Sequence, residues 1–168
     1  MNVHVRAARP SDVPLILQLI RELAEYEKLL HEVVATEEAF ANFLFGDRPA
    51  AEVLIGECDG ESVGLALFFQ TFSTFLARPG LYLEDLYVRP AYRHRGIGKR
   101  LLAELATLAL ERGCGRLEWS VLDWNAPAIA FYRHIGAVAM DGWTVNRVTG
   151  DALGDLAKQK ATDGGRDV

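Results

Sequence analysis

The sequence is poor in cysteine and has no long apolar run, and each shortage excludes a class of protein. Two cysteines occur in 168 residues, Cys58 and Cys114, and their separation fits neither a disulfide framework nor a cysteine metal site. No apolar stretch approaches the ~18 residues of a membrane-spanning helix, and the first residues lack the apolar core of a signal peptide. We therefore expect a cytoplasmic protein with reduced cysteines, no metal ion and no membrane partner.

An excess of positive charge is also absent. Lys and Arg number 18 against 23 Asp and Glu, which gives a net charge of −5 at pH 7. Because an acidic chain is a poor non-specific binder of nucleic acid, no nucleic-acid partner is expected. The charge suits a cationic substrate, although many enzymes with neutral substrates are equally acidic. Hydrophobic residues make up 50% and charged residues 24%, as in an ordinary globular chain.

Apolar residues recur at strand spacing in some segments and at helix spacing in others. Strands are predicted at residues 2–7, 51–57, 62–72, 81–88, 116–122, 137–139 and 142–148. Helices are predicted at residues 13–28, 36–46, 97–113, 125–135 and 151–157. The order β-α-α-β-β-β-α-β-α-β-β, followed by the short helix at 151–157, predicts a single α/β domain with a mixed central sheet over residues 1–157. The polar residues 158–168 predict a disordered tail. The strands at 81–88 and 116–122 flank a helix and should run parallel.

The strand at 81–88 leads into a basic turn, Arg93-His94-Arg95-Gly96-Ile97-Gly98, that opens a helix. Such a turn is an anion site in outline, because the first N–H groups of a helix lack partners and carry partial positive charge. Neither common nucleotide pattern fits. Leu101 stands where the Rossmann motif needs glycine, and Arg93 and Arg100 stand where the Walker motif needs glycine and Ser or Thr. For the hexapeptide alone, a basic turn without a ligand remains the alternative.

The remaining pattern, Arg93-x-x-Gly96-x-Gly98 after a strand, resembles the pyrophosphate loop of GCN5-related (GNAT) acetyltransferases. A second segment resembles the family's N-x-x-A-x-x-x-Y-x-x-x-G-[AF] motif. The matching residues are Asn125, Ala128, Tyr132, Gly136 and Ala137. The predicted element order is also that of the GNAT fold, so the resemblance covers residues 3 to 157.

Within that family, three segments resemble the diamine (spermidine/spermine) N-acetyltransferases and their thialysine-acetylating relatives. These segments are residues 22–27, residues 82–85 with the turn, and Asp123-Trp124-Asn125. The runs 112–114 and 121–125 are nearer the thialysine side. The chain departs from the pattern between Ala137 and Trp143, which looks shorter, and at residues 144–146, where a more hydrophobic strand is usual. Both departures lie near the expected substrate pocket and leave the identity of the amine open.

The resemblance implies acetyl-CoA as co-substrate and a homodimer. The pyrophosphate would be held by the loop residues Arg93, His94, Arg95, Gly96, Ile97, Gly98 and Lys99. The pantetheine arm would pair with the backbone of Leu86, Tyr87 and Val88. Asn125 would cap its helix and contact the cofactor, with a role as cap alone as the alternative.

Acetylation of an amine needs a base, because an alkyl amine with a pKa near ~10.4 is almost all cationic at pH 7. Glu84 is the candidate base, acting directly or through a water, since a carboxylate on a central strand is unusual unless it is paired, solvated or functional. Strand alternation predicts that Asp85 points to the opposite face, so the two form no close dyad. The alternative for both is a solvent-facing charge at a strand bend. Tyr132 is the candidate acid for the thiolate, and a buried core aromatic is its alternative.

By resemblance, Tyr26 and Glu27 are candidates for substrate binding with Glu84 and Asp85, and a frayed helix end is their alternative. Asp141 is assigned to the same pocket. The predicted reaction is direct acetyl transfer to a small primary amine in a ternary complex, since no activated Cys or Ser nucleophile is evident. Two alternatives stay open: acetylation of a protein N-terminus or lysine on the same fold, and a non-catalytic acyl-CoA-binding module, which Glu84 and Tyr132 argue against.

Overall fold

A computed structural model of the chain describes residues 2–159. The contacts divide the chain into two compact units, Met1–Ser120 and Val121–Val168, and each is described by itself. No helix in the described part is both long and apolar enough to cross a lipid bilayer.

The first unit contains five strands and three α-helices. The strands are β1 (Val3–Ala7), β2 (Glu52–Cys58), β3 (Glu61–Ser73), β4 (Arg78–Val88) and β5 (Leu117–Trp119). The helices are α1 (Val13–Tyr26), α2 (Glu37–Phe45) and α3 (Ile97–Glu111). The described part of the second unit contains α4 (Ala126–His134) and α5 (Gly150–Gln159).

The five strands form one mixed sheet in the order β1-β2-β3-β4-β5. The first three pairings are antiparallel and the last, between β4 and β5, is parallel. The mixed α/β fold predicted from the sequence is therefore confirmed, including the parallel pair joined by α3. The hairpin predicted at Asp59-Gly60 is also confirmed: both residues have positive φ, 50° and 87°, as the favoured two-residue turns require.

Helices cover both faces of the sheet. On one face, Ile16 and Leu19 of α1 pack in a core with Ile55, Leu65 and Tyr87 of the strands. On the other face, α3 lies very close to β2 because Gly56 has no side chain, and a Cβ at that position would come within 2.9 Å of the Ile97 side chain. This close packing holds the first turn of α3 against the sheet.

A β-bulge interrupts β4. Leu67 of β3 pairs with Asp85 and the next residue, Phe68, pairs with Leu83, so Glu84 is left out of the pairing. The pairing of β4 with β5 stops at Leu83, beside the bulge. A bulge bends and twists a strand, which accounts for a fifth strand of three residues where the sequence predicted 116–122.

The two strands predicted at 137–139 and 142–148 are wrong, because the structure has no strand in that part of the chain. Its apolar side chains are largely exposed, with Trp143 at 78% and Val145 at 84%. An alternating pattern forms a strand only where another backbone offers hydrogen bonds, and none does so there among the described residues.

The helix predicted at 151–157 is confirmed and is longer than predicted. It includes Lys158, assigned above to the tail, whose Nζ lies 2.9 Å from Asp155 one turn earlier. The rest of the predicted tail, 160–168, lies outside the described residues.

Candidate active site

The predicted anion-binding turn lies between the end of β4 and the start of α3. Gly96 caps α3 in the left-handed conformation, with φ 81° and ψ 1°, and His94 before it also has a positive φ of 62°. A Cβ on Gly96 would meet no atom within 4 Å, so the surface of the turn is open at this point. The first N–H groups of α3 have no partner within the helix, and they are available at this end for an anion.

The side chains of loop residues 93–99 differ in their exposure to solvent. His94, Arg95 and Lys99 are exposed, so their charges or donors face solvent around the turn. Ile97 is 1% exposed and belongs to the core, so only its backbone is left for a ligand. Gly98 is half-buried and offers no side chain. The structure therefore brings together most of the predicted pyrophosphate residues at one open helix end.

Arg93 stands apart from its neighbours because its side chain turns back against the protein. Its Nε donates to the carbonyl oxygen of Val88 at 3.0 Å. Its guanidinium carbon lies 4.6 Å from the ring centre of Tyr26 and 5.9 Å from that of Tyr87. Arg93 thus links the loop to β4 and to the end of α1.

Two further contacts hold the segment before the turn. Arg89 pairs with both carboxylate oxygens of Glu22 on α1, through Nη2 at 2.9 Å and Nε at 3.0 Å. This guanidinium lowers the pKa of the Glu22 carboxyl. The Tyr92 hydroxyl donates to Glu61 at the start of β3. The loop is therefore tied to a helix on one side and to a hairpin on the other.

Within residues 2–159, the backbone predicted to pair with the pantetheine arm has one edge that no strand pairs. Leu86, Tyr87 and Val88 pair with Ala66, Leu65 and Gly64 of β3, whereas the pairing with β5 ends at Leu83. An extended ligand can add to such an edge as a strand does. The carbonyl of Val88 is already occupied by Arg93.

The bulge brings the carboxylates of β4 into an unusual setting. Glu84 is exposed, and Asp85 is half-buried opposite Leu67, on the face of the sheet that α1 covers. Burial, together with the negative charges of Glu84 and Glu27, raises the pKa of Asp85 to about 7. Burial also raises the pKa of Glu27. The alternation of side chains expected for Glu84 and Asp85 holds for a regular strand, and the bulge interrupts that regularity at Glu84.

Tyr26 and Glu27 lie at a well-formed helix end, which argues against fraying. The N–H of Leu29 donates to the carbonyl of Ala24 at 2.7 Å, and that of Lys28 donates to Glu25 at 3.0 Å. With Lys28 at a φ of 62°, this is a Schellman closure of α1. The closure fixes Tyr26 and Glu27 on the same side of the sheet as Asp85.

Asn125 and Tyr132 belong to one helix of the second unit. The Asn125 side chain accepts a hydrogen bond from the N–H of Ala128 at 3.4 Å, so the predicted cap is confirmed. Tyr132 is half-buried on α4, with its ring centre 5.6 Å from that of Phe131. Asp141 is exposed in a turn beyond this helix.

Sequence reasoning missed the ties between α1 and the loop. Glu22 and Tyr26 are four residues apart, as are the Arg89 and Arg93 they contact. This matched spacing is the one local signal that could have suggested the pairing. Among residues 2–159, no group of three or more His, Cys, Asp or Glu side chains could hold a metal ion.

Comparison with known proteins gives a consistent result. Residues 16–137 match the sequence profile of the Acetyltransferase (GNAT) family. The chain is 41% identical over 166 residues to the thialysine N-epsilon-acetyltransferase of Bos taurus, covering 92% of this chain and 97% of that protein. It is 35% identical over 203 residues to the L-ornithine N5-acetyltransferase NATA1 of Arabidopsis thaliana, covering 94% and 89% of the two chains. A similar solved structure is an integron cassette protein from the mobile metagenome of V. cholerae, with a TM-score of 0.78, 27% identity, and 94% and 99% coverage.

Proposed function

Because the chain belongs to the acetyltransferase (GNAT) family, we propose that it transfers the acetyl group of acetyl-CoA to a primary amine of a small molecule. The family and the enzyme class predicted from the sequence are confirmed by this membership. One observation carries the proposal for this chain: an open, basic helix end directly follows a bulged strand with an ionisable carboxylate whose pKa is about 7.

The residues present fit acetyl-CoA. A diphosphate needs backbone donors, nearby positive charge and room, which are offered by the start of α3, by His94, Arg95 and Lys99, and by the open side of Gly96. The edge of Leu86–Val88 that β5 does not pair suits the amide groups of the pantetheine arm, with the Val88 carbonyl left to Arg93. Acetyl-CoA supplies the thioester, and the protein supplies the binding and the proton transfers.

The proton of the amine is taken by a carboxylate of β4. An alkylammonium group with a pKa near ~10.4 must lose a proton before its nitrogen can attack the carbonyl carbon. Glu84 is the base predicted from the sequence, and Asp85, with its pKa near neutrality, is a second candidate. The C–S bond then breaks, and Tyr132 gives a proton to the departing thiolate. We propose that this takes place as a direct transfer in a ternary complex.

The substrate we propose is a polyamine, a diamine or a thialysine-like amino acid. The relatives named above act on thialysine and L-ornithine, both amino acids with a primary amine on the side chain. Glu27 and Asp85 lie on the α1 side of β4, and the negative charge of Glu84 also acts on Asp85, so this part of the protein is acidic and favours a cationic amine.

A homodimer and a cytoplasmic location are also proposed. The dimer rests on the family resemblance, and light scattering should give twice the chain mass of 18.6 kDa. The location is supported by the cysteines, because Cys58 and Cys114 are both buried and unpaired, as is usual in a reducing compartment.

Release of free thiol from acetyl-CoA tests the function. The panel is spermidine, putrescine, thialysine, ornithine, lysine and a peptide with a free N-terminus. We expect a strong preference for one of the small amines. Thiol release with the peptide alone would indicate that the substrate is a protein. Binding of acetyl-CoA without thiol release for any amine would favour a non-catalytic binding module.

A further inference from the structure

Two arginines four residues apart contact two side chains of α1 that are also four residues apart. Arg89 holds Glu22 through a two-pronged ion pair, and Arg93 lies over the ring of Tyr26. Glu22 and Tyr26 lie one turn apart on the same side of α1. The end of α1 and the segment leading into the loop are therefore joined at two points, of which the second lies within the loop itself.

The Arg93 side chain contacts the protein, unlike those of its basic neighbours in the loop. Its Nε donates to the Val88 carbonyl at 3.0 Å, and its guanidinium carbon is 4.6 Å from the Tyr26 ring centre. The side chain is half-buried, whereas His94, Arg95 and Lys99 are exposed around the turn. A guanidinium held between a carbonyl and an aromatic face is fixed in direction.

We infer that Arg93 is a positioning residue, which sets the path of the loop by bridging the Val88 carbonyl and the Tyr26 ring, so that the affinity for acetyl-CoA depends on Tyr26. This inference rests on the proposed function, because it presupposes that the loop binds acetyl-CoA. The phosphates are left to the backbone of the turn and to the exposed basic side chains. Arg93 acts on them through the shape of the loop.

The inference connects the two substrates. Tyr26 lies beside Glu27 at the side of β4 proposed for the amine, and the same ring holds the arginine of the cofactor loop. An amine that contacts Tyr26 will therefore change the affinity for acetyl-CoA. By linkage, acetyl-CoA will change the affinity for the amine by the same factor.

The test measures the dissociation constant of acetyl-CoA by calorimetry without any amine. The proteins are wild type, Tyr26→Phe, Tyr26→Leu, Arg93→Met and the double variant Tyr26→Leu/Arg93→Met. From the usual strength of a partly exposed cation–π contact, Tyr26→Leu should weaken binding about three- to tenfold. Tyr26→Phe keeps the ring face and should therefore lose less affinity for acetyl-CoA than Tyr26→Leu does. The double variant should be no weaker than Arg93→Met, because both substitutions remove the same contact.

A matched control removes a similar contact at the other end of α3. The guanidinium carbon of Arg112 lies 5.9 Å from the Phe68 ring centre, and Arg112 pairs with Glu52 at 2.6 Å. Arg112→Met should leave the dissociation constant unchanged. If Tyr26 contributed only to amine binding, its replacement would leave the dissociation constant of acetyl-CoA unchanged. This constant therefore separates a role of Tyr26 in amine binding from a role in positioning Arg93.

The outcomes distinguish the inference from the proposed function. Wild-type protein that does not bind acetyl-CoA would overturn both. Wild-type binding with an unchanged constant in Tyr26→Leu would overturn the inference alone. Additive losses in the double variant would do the same, because Arg93 would then act independently of Tyr26. The comparison of Tyr26→Leu with Tyr26→Phe decides the matter even if the double variant does not fold.

Discussion

The two halves of β4 have the same backbone direction but different neighbours. Before the bulge, residues 81–83 pair with both β3 and β5, and Leu81 and Leu83 are 0% and 2% exposed. After it, residues 85–88 pair with β3 alone and lead directly into the open turn. The first half is therefore buried between two strands, whereas the second half contributes Tyr87 to the core and also contains the backbone and the Asp85 carboxylate that we propose to contact the ligands. Substitutions in the two halves should accordingly affect different measurements.

The largest effect is expected at the turn that follows the second half. Gly96→Glu places a carboxylate where the phosphates are proposed to bind and forces a side chain into the left-handed region. We expect acetyl-CoA binding to be abolished, as measured by calorimetry, while the circular dichroism spectrum stays that of the folded protein. Gly96→Ala is the control for backbone strain and should retain weakened binding. An unchanged dissociation constant in Gly96→Glu would remove the pyrophosphate assignment.

In the first half, the expected effect is on stability. Leu81→Ala removes a fully buried side chain and should lower the free energy of unfolding by about 3 kcal/mol. The folded variant should bind acetyl-CoA as wild type does. Urea denaturation and calorimetry measure the two quantities. Weaker binding in a folded Leu81→Ala protein would show that the two halves of β4 do not act separately.

In the second half of β4, Asp85 should make both the stability and the reaction rate depend on pH. Its pKa is raised from 3.8 to about 7, so the folded protein keeps a proton that the unfolded chain has lost, and stability falls as pH rises from about 4 to about 7. Asp85→Asn removes this penalty of about 2 to 4 kcal/mol and should be more stable than wild type above pH 7. If Asp85 takes the amine proton, the rate of wild type rises with pH through about 7, and this limb disappears in the variant.

Parallel pH profiles for wild type and Asp85→Asn would contradict the role of Asp85 as base. Glu84→Gln is the matched variant, since it removes the other carboxylate of the bulge without removing the buried one. A lost limb in Glu84→Gln together with an intact one in Asp85→Asn would assign the base to Glu84.

A smaller effect is expected from a residue outside β4. Tyr132→Phe removes the proposed proton donor and should lower kcat about a hundredfold, with little change in acetyl-CoA affinity. The half-buried ring and its packing beside Phe131 are kept in this variant. Steady-state kinetics with the preferred amine measures the effect. Unchanged turnover would remove Tyr132 from the mechanism.

The sequence predicted those features that short segments determine by themselves. The hairpin at Asp59-Gly60, the helix from Ile97 and the Asn125 cap depend on local propensities and on nearby hydrogen bonds. The strand predicted at 81–88 forms as part of β4, because β3 and β5 lie on either side of its first residues and pair with them. The segment 142–148 has a similar pattern and forms no strand. A strand needs a second strand to pair with, and the local pattern does not indicate whether one is present.

The sequence names candidate site residues, but it does not give the contacts between them. The bulge at Glu84 is a mismatch of register between two strands, and nothing in the sequence of one strand reveals it. The raised pKa of Asp85 follows from burial and from Glu27, which is far away in the sequence. The contacts of Arg89 with Glu22 and of Arg93 with Tyr26 likewise join segments more than sixty residues apart.

The most direct test of the account is to identify the product of the reaction with acetyl-CoA and the preferred small amine by mass spectrometry. The account predicts an N-acetylated amine formed in equal amount to free CoA by wild-type protein, and neither product with Gly96→Glu. Protein that binds acetyl-CoA but forms no acetylated amine, or forms it equally well as Gly96→Glu, would contradict the claim that this turn and strand form the active site.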